Sequence, residues 1–220
     1  MCPPFVGHFS LHFSNFSIKI SLNTCTHANF VVILQRKIEN STMSLPLKVI
    51  MDFPKPGVRF LEITPFLLNP VEVRKAIEAF KSHIPADAEN VVIVGPEARG
   101  YIFGSMVAYE LHAPFFMLRK AGKLPNDGTQ VTFYAAKEYG SSDFAVNMAD
   151  LDALKAAGYR NIVIIDDILA TGSTNHAIAE FFQSNGFRVV SVMNLIEIVA
   201  LKGSQLLEEA GFHTYSYIKE

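Results

Sequence analysis

From Met43 onward, short runs of β-branched residues alternate with helix-length segments, and that alternation admits few folds. Asn69-Pro70 opens a helix, because Asn caps well and Pro suits the first helical position. Val73, Ile77, Phe80 and Ile84 then give it one apolar face, and Pro85 ends it. Val91–Val94 reads as a buried strand stopped by Gly95, Gly100–Leu111 as a buried helix and Pro114–Leu118 as a strand. Phe144–Met148, Ile162–Ile165, Val189–Leu195 and Tyr215–Ile218 are further strands, and Leu151–Ala157, Thr174–Ser184 and Ser204–Ala210 are further helices. Short connections between them predict an α/β fold: a mostly parallel twisted sheet flanked by helices, with ligands at the carboxyl ends of the strands. Between Arg119 and Tyr139 the chain turns polar; Gln130–Ala136 is a possible strand, and the rest is long enough to be a flexible lid.

The 220 residues suit one such domain plus an appendage. Half are apolar and 18% charged, ample for a core. A formal net charge of −2 gives no general attraction to nucleic acid or to a membrane surface, and no apolar stretch is long enough to span a bilayer; Phe30–Leu34 is far too short. Cys2 and Cys25 are the only cysteines, so the folded part uses neither disulfide nor thiolate metal site, which fits a cytoplasmic protein. His83, His112, His176 and His213 have no metal-ligand spacing.

Residues 1–42 differ, being rich in Phe, Ser, His and Asn with one acidic residue, Glu39, and no persistent period. Three readings compete: a targeting segment, for which a single arginine, Arg36, is poor support; an extension, ordered or disordered; or a gene-model artefact upstream of a true start at Met43. The last is favoured because the regular pattern begins just after Met43. Residues 43–220 are then one domain.

The chemistry concentrates in Ile164-Ile165-Asp166-Asp167-Ile168-Leu169-Ala170-Thr171-Gly172-Ser173-Thr174. The apolar run delivers the loop to the sheet's carboxyl edge, and Asp166 and Asp167, where the strand is expected to end, can accept hydrogen bonds from two vicinal sugar hydroxyls. Ala170, Thr171, Gly172, Ser173 and Thr174 are small or hydroxylic and lead into a helix, so their backbone N–H groups and the helix's positive end form an anion site. A helix cap at Thr174 behind a solvated acidic turn would explain Thr174 alone. It leaves two carboxylates beside a phosphate nest unexplained, whereas a sugar phosphate needs both. The absence of a Gly-Lys-Ser/Thr ending disfavours a nucleoside triphosphatase.

Asp166–Thr174 resembles the phosphoribosyl pyrophosphate (PRPP) signature of type I phosphoribosyltransferases. The segments Asp52–Val58, Glu97–Gly100, Arg119–Pro125 and Glu138–Gly140, in that order, narrow the resemblance to the adenine phosphoribosyltransferase family from about Asp52 to the C-terminus. The resemblance implies transfer of ribose 5-phosphate from PRPP to N9 of adenine, with Mg²⁺ bound mainly through PRPP rather than by protein side chains. It implies that Asp166, Asp167 and Ala170–Thr174 hold the ribose and 5′-phosphate. Arg99, Arg119, Lys120 and Lys123 would hold the pyrophosphate, Arg as a planar fork and Lys as a point charge. Glu138 on the lid would face N7 of the purine as general acid, with Arg99 also at the reacting centre. Val58 and Phe60 would form one wall of the base pocket and Ile168 the other. Arg119 would reach the neighbouring subunit's site, implying a homodimer. Relatives commonly have Phe-Arg-Asp where this chain has Phe60-Leu61-Glu62, a departure that bears on base choice.

Each role has a plainer counterpart. Lys120 and Lys123 as surface charge, Glu138 as a solvated loop residue, and Phe60 and Ile168 as core all remain open at this level, and Asp127 receives no role. Two other functions also stand: an enzyme of this fold for another purine, and a PRPP-sensing regulator, for which residues 1–42 make a poor nucleic-acid module.

Overall fold

The computed structural model describes residues 6–13, 16–23, 47–53, 55–57, 59–137 and 140–220. The chain divides into two compact units, Met1–Pro46 and Leu47–Glu220. In the first, β1 (Val6–Phe13) and β2 (Phe16–Asn23) pair antiparallel, with Phe9 opposite Ile20 and Leu11 opposite Ile18. The sequence reading finds no element here. Yet Phe9, Leu11, Phe13 and then Phe16, Ile18, Ile20, Leu22 do alternate with polar residues, the period of a strand pair.

The second unit opens with a small antiparallel pair, β3 (Lys48–Met51) and β4 (Arg59–Glu62), and the single-turn helix α1 (Thr64–Leu67). These short elements carry too little pattern to be read from sequence. In α2 (Pro70–Ser82), Asn69 caps the N-terminus, its side chain accepting from the N–H groups of Val71 and Glu72. There follow β5 (Val91–Pro96), α3 (Gly100–Leu111) and β6 (Phe115–Lys120). The hairpin β7 (Gln130–Lys137) and β8 (Gly140–Asn147) leads to α4 (Met148–Ala156). The chain ends with β9 (Asn161–Leu169), α5 (Ser173–Ser184), β10 (Arg188–Glu197), α6 (Gly203–Glu209) and β11 (Thr214–Lys219).

The strands from β5 to β11 form one seven-stranded sheet in the order β11-β10-β9-β5-β6-β8-β7. The pairs from β11 to β6 are parallel; β8 and β7 add an antiparallel edge. Alternate residues of the central strands feed two cores. Val92, Val94, Ile162 and Ile164 pack with Phe182 and Ile178 of α5 and Leu151 of α4. Ile93, Val163 and Ile165 pack with Phe80 of α2 and Phe103 and Val107 of α3. Each fully buried side chain of this size contributes roughly 1.5–3 kcal/mol from burial. After β5 the chain goes to β6 on one side, and the next parallel strand, β9, lies on the other. The connections diverge between β5 and β9, which opens a crevice at their carboxyl ends.

One expectation is met and one needs correction. The strand possible at Gln130–Ala136 is present as β7, and β6 runs to Lys120, leaving a connection whose turns are held by side chains. Asp127 Oδ1 accepts from Thr129 N at 2.8 Å and Oγ1 at 2.7 Å, so this aspartate is a turn cap. The strand expected to stop at Ile165 continues to Leu169, because Asp166 pairs with Asn194 and Ile168 with Ile196 of β10. Ladder pairing with a buried neighbour overrides the low strand propensity of two aspartates.

Candidate functional site

A cavity of about 250 Å³ opens at the carboxyl end of β9, lined by Arg99 and residues 166–175. Arg99 immediately precedes α3, and Gly100 sets its position. A Cβ on Gly100 would lie 2.9 Å from the Ile165 carbonyl oxygen and 2.5 Å from Pro96 Cδ, so only glycine lets the helix start this close to β9. Arg99 Nε therefore stands 2.7 Å from Asp167 Oδ2, whose side chain is 7% exposed. That oxygen has no aligned hydrogen-bond donor among the described residues, so the contact is a charge pair and leaves the oxygen's lone pairs unclaimed. The Asp167 N–H donates to Asp166 Oδ1 at 2.8 Å. Burial, and next the negative charge of Asp167, push the Asp166 carboxyl well above the usual carboxylate range. Two carboxylates side by side, one reluctant to ionise, suit neutral hydroxyl partners that can both donate and accept.

Beyond them the loop turns at Gly172, whose φ of +83° and whose would-be Cβ, 2.7 Å from the Gly203 carbonyl oxygen, both require glycine. The helix α5 then starts at Ser173 with Gly172 as its cap position, so Thr174 lies inside the first turn and is not the cap. Thr171 Oγ1 and Ser173 Oγ are 3.2 Å apart. No side chain caps α5, in contrast to α2 with its Asn69. The first turn of α5 instead lines the cavity, the arrangement that binds phosphate through backbone N–H groups and the helix dipole.

Arg119, Lys120 and Lys123 do not line this cavity; their segment gathers on Glu97. Arg119 Nε donates to Glu97 Oε2 at 3.3 Å, the Lys120 N–H to the same oxygen at 3.0 Å, and Lys123 Nζ to Oε1 at 2.8 Å. These donors, Lys123 first and the Lys120 amide next, hold the Glu97 carboxyl down at about 2. Glu97 lies two residues before Arg99, joined to Ala98 by a cis peptide bond.

Phe60 of β4 is half-buried, with the Arg99 guanidinium 5.3 Å from its ring centre and Phe53 packed edge-on at 5.1 Å. Ile168 lines the cavity beside Asp167. Arg99 thus links Phe60 to the cavity that Ile168 borders. Leu61 is a core residue, packed with Ile63 and Phe66. Val58 and Glu138 lie outside the described residues, Glu138 falling between the end of β7 and the start of β8.

Four residues near the site escape sequence reasoning. Glu97 belongs to the quoted Glu97–Gly100 motif, but its partners lie more than twenty residues away in the chain. Asn175 and Asn194 are buried and joined by a 2.9 Å amide hydrogen bond between the first turn of α5 and β10. Gly203 lies against the loop at Gly172 and Ala170. A lone Asn in an apolar run and a glycine near a helix start carry no signal of this kind.

Residues 66–212 match the family model of the phosphoribosyl transferase domain. Adenine phosphoribosyltransferase of Desulfitobacterium hafniense (strain Y51) is 39% identical over 173 residues, covering 79% of this chain and 94% of that protein. The crystal structure of adenine phosphoribosyltransferase from Thermoanaerobacter pseudethanolicus is 34% identical, covers 79% of this chain and 95% of that one, and superposes with a TM-score of 0.67. That from Saccharomyces cerevisiae, complexed with D-2,5-dideoxy-2,5-imino-altritol 1,6-bisphosphate and adenine, is 30% identical, with coverages of 78% and 93% and a TM-score of 0.65. Fold, cavity and family model together define a phosphoribosyltransferase. Within that class, the chain belongs to the adenine phosphoribosyltransferase family.

Proposed function

We propose that this protein transfers the 5-phosphoribosyl group of PRPP to N9 of adenine, giving AMP and pyrophosphate in purine salvage. The observation that carries the reading is the cavity in which Asp166, Asp167 and Arg99 face the uncapped first turn of α5. In this reading the 5′-phosphate sits on residues 170–174, and Asp166 and Asp167 accept the ribose 2- and 3-hydroxyls. The ribose is thereby fixed while the bond from C1 to pyrophosphate breaks and the bond to N9 forms. Arg99, with Arg119, Lys120 and Lys123, takes up the charge that grows on the pyrophosphate oxygens. Glu138 hydrogen-bonds N7 of the purine, and the apolar side chains of Val58, Phe60 and Ile168 hold the base between them.

The donor set suits Mg²⁺. Asp167 Oδ2 is buried without a hydrogen-bond donor, a hard oxygen of the kind this ion accepts, and the described residues hold no group of three or more His, Cys, Asp or Glu that could cage a metal. As the family resemblance implies, Mg²⁺ is assigned mainly to PRPP and water, with Asp166 and Asp167 beside its water shell. When bound, it neutralises part of the pyrophosphate charge.

A homodimer in which Arg119 serves the neighbouring site is supported by the family resemblance, and a cytoplasmic location by the absence of cysteine after Cys25. No described helix is long and apolar enough to cross a membrane. The yeast relative's complex with adenine favours adenine as the base. The core placement of Leu61 leaves its backbone, rather than its side chain, to meet a base, so the departure at this position is compatible with that choice.

The test is a panel: purified protein, Mg²⁺ and PRPP with adenine, hypoxanthine, guanine or xanthine, following pyrophosphate release. AMP formation with adenine alone is expected; PRPP binding without turnover of any base would refute an enzyme. Glu138→Gln is expected to lower turnover far more than PRPP affinity, and full activity in that variant would remove its assigned role.

A further inference from the structure

Besides Arg99, two of the cations assigned to pyrophosphate are already paired. Arg119 Nε and Lys123 Nζ donate to Glu97 at 3.3 and 2.8 Å, and the intervening Lys120 N–H donates to the same carboxylate at 3.0 Å. The Glu97 side chain is 10% exposed, against 32% for Arg119 and 56% for Lys123, so the acid lies beneath and the cations reach over it towards solvent. Glu97 sits two residues from Arg99, whose guanidinium lines the cavity. A site built only to hold pyrophosphate would gain nothing from a carboxylate at this place.

We propose that Glu97 is an electrostatic latch on the pyrophosphate cations, a positioning residue that loosens the grip on pyrophosphate so that it can leave. The proposal rests on the assignment of the Arg119–Lys123 segment to pyrophosphate. An incoming pyrophosphate group must displace Arg119 and Lys123 from Glu97, and the departing one is replaced by Glu97. The displacement costs both ligands the same free energy, but they differ in what remains. PRPP keeps its ribose and 5′-phosphate contacts and stays bound, whereas free pyrophosphate has only the cations and Mg²⁺. Competition from Glu97 therefore brings the product, with its fewer contacts, closer to release than the substrate. Where product release limits turnover, that difference sets kcat. The amide contact from Lys120 keeps the segment in register while the side chains exchange partners.

The test compares the full-length protein with Glu97→Gln, Lys123→Ala and the double variant. Inorganic pyrophosphate with Mg²⁺ is titrated calorimetrically, and product inhibition is measured in the forward reaction. Glu97→Gln keeps the shape and an acceptor for the Lys120 N–H but removes the charge. It should bind pyrophosphate about tenfold tighter, the scale of one charge-assisted contact. It should also lower kcat, with the KM for adenine unchanged. In the Lys123→Ala background the tightening should shrink, since the latch acts through that pair. Unchanged or weaker pyrophosphate binding in Glu97→Gln, with weaker binding in Lys123→Ala, overturns the latch but keeps the pyrophosphate assignment. Unchanged binding in Lys123→Ala overturns the assignment and the latch with it. Should Glu97→Gln fail to fold, Glu97→Asp, which draws the charge back by one methylene, should tighten pyrophosphate by a smaller factor, and no tightening overturns the proposal.

Discussion

Gly100→Ala adds one carbon where α3 begins. That carbon would lie 2.9 Å from the Ile165 carbonyl oxygen and 2.5 Å from Pro96 Cδ, while ordinary contact starts near 3.4 Å. The first turn of α3 must then withdraw from β9 by about half an ångström and from Pro96 by nearly one. Overpacking of this kind costs about 1–3 kcal/mol. Alanine returns roughly 0.5–1 kcal/mol through its better helix propensity, so the expected net loss is about 1–2 kcal/mol. Arg99, the residue before, is carried along, and its 2.7 Å contact with Asp167 opens. A displacement of about 1 Å at reacting groups costs on the order of a hundredfold in rate, so kcat/KM should fall between tenfold and a hundredfold. Urea unfolding midpoints measure the first effect and initial rates of AMP formation the second. Stability and kcat/KM both within twofold of the unsubstituted protein would refute the close-approach reasoning. A loss of stability with unchanged kinetics would show that α3 does not hold Arg99 in place.

Asp166→Asn should stabilise the ligand-free protein near neutral pH while abolishing PRPP binding. Because the folded-state carboxyl titrates above its ordinary 3.8, the native state binds more protons than the unfolded one across that window, and stability falls as pH rises through it. The variant lacks this slope, so urea midpoints from pH 3 upwards should diverge in its favour; a lower midpoint at pH 7 would sink the idea. Asn194→Leu removes the partner of the buried Asn175 amide and should cost about 1–3 kcal/mol, whereas replacing both by apolar residues should cost less than the sum of the single changes. Thermal unfolding of the two single variants and the double decides it; strict additivity would mean that the pair is not coupled.

Much of the fold is legible along the chain because its signals are local. Asn69-Pro70 marks the start of α2 where the structure places it, and Gly100–Leu111 is α3 to the residue. The apolar run before Asp166 announces a central strand, and its small, hydroxylic sequel announces the loop that leads into α5. The errors lie where pairing with a distant strand outweighs local preference. β9 runs through both aspartates because β10 lies beside it, whereas the strand possible at Gln130–Ala136, whose partner follows directly in the chain, is present as β7. The hairpin β1–β2 is a different miss, since its period-two signal is present but lies in a Phe- and Ser-rich stretch without turn glycines.

By itself, then, the sequence determined the alternation of strands and helices, the edge of the sheet at which the proposed site lies, and the residue types proposed to meet a sugar phosphate. Those follow from short-range rules: hydrophobic period, capping and backbone freedom at glycine. Tertiary structure alone decided that Arg99 pairs with Asp167, that burial keeps Asp166 from ionising readily, and that Arg119 and Lys123 rest on Glu97. Each of these depends on distances between elements far apart in the chain, and electrostatic interactions change steeply with such distances and with the water left around them.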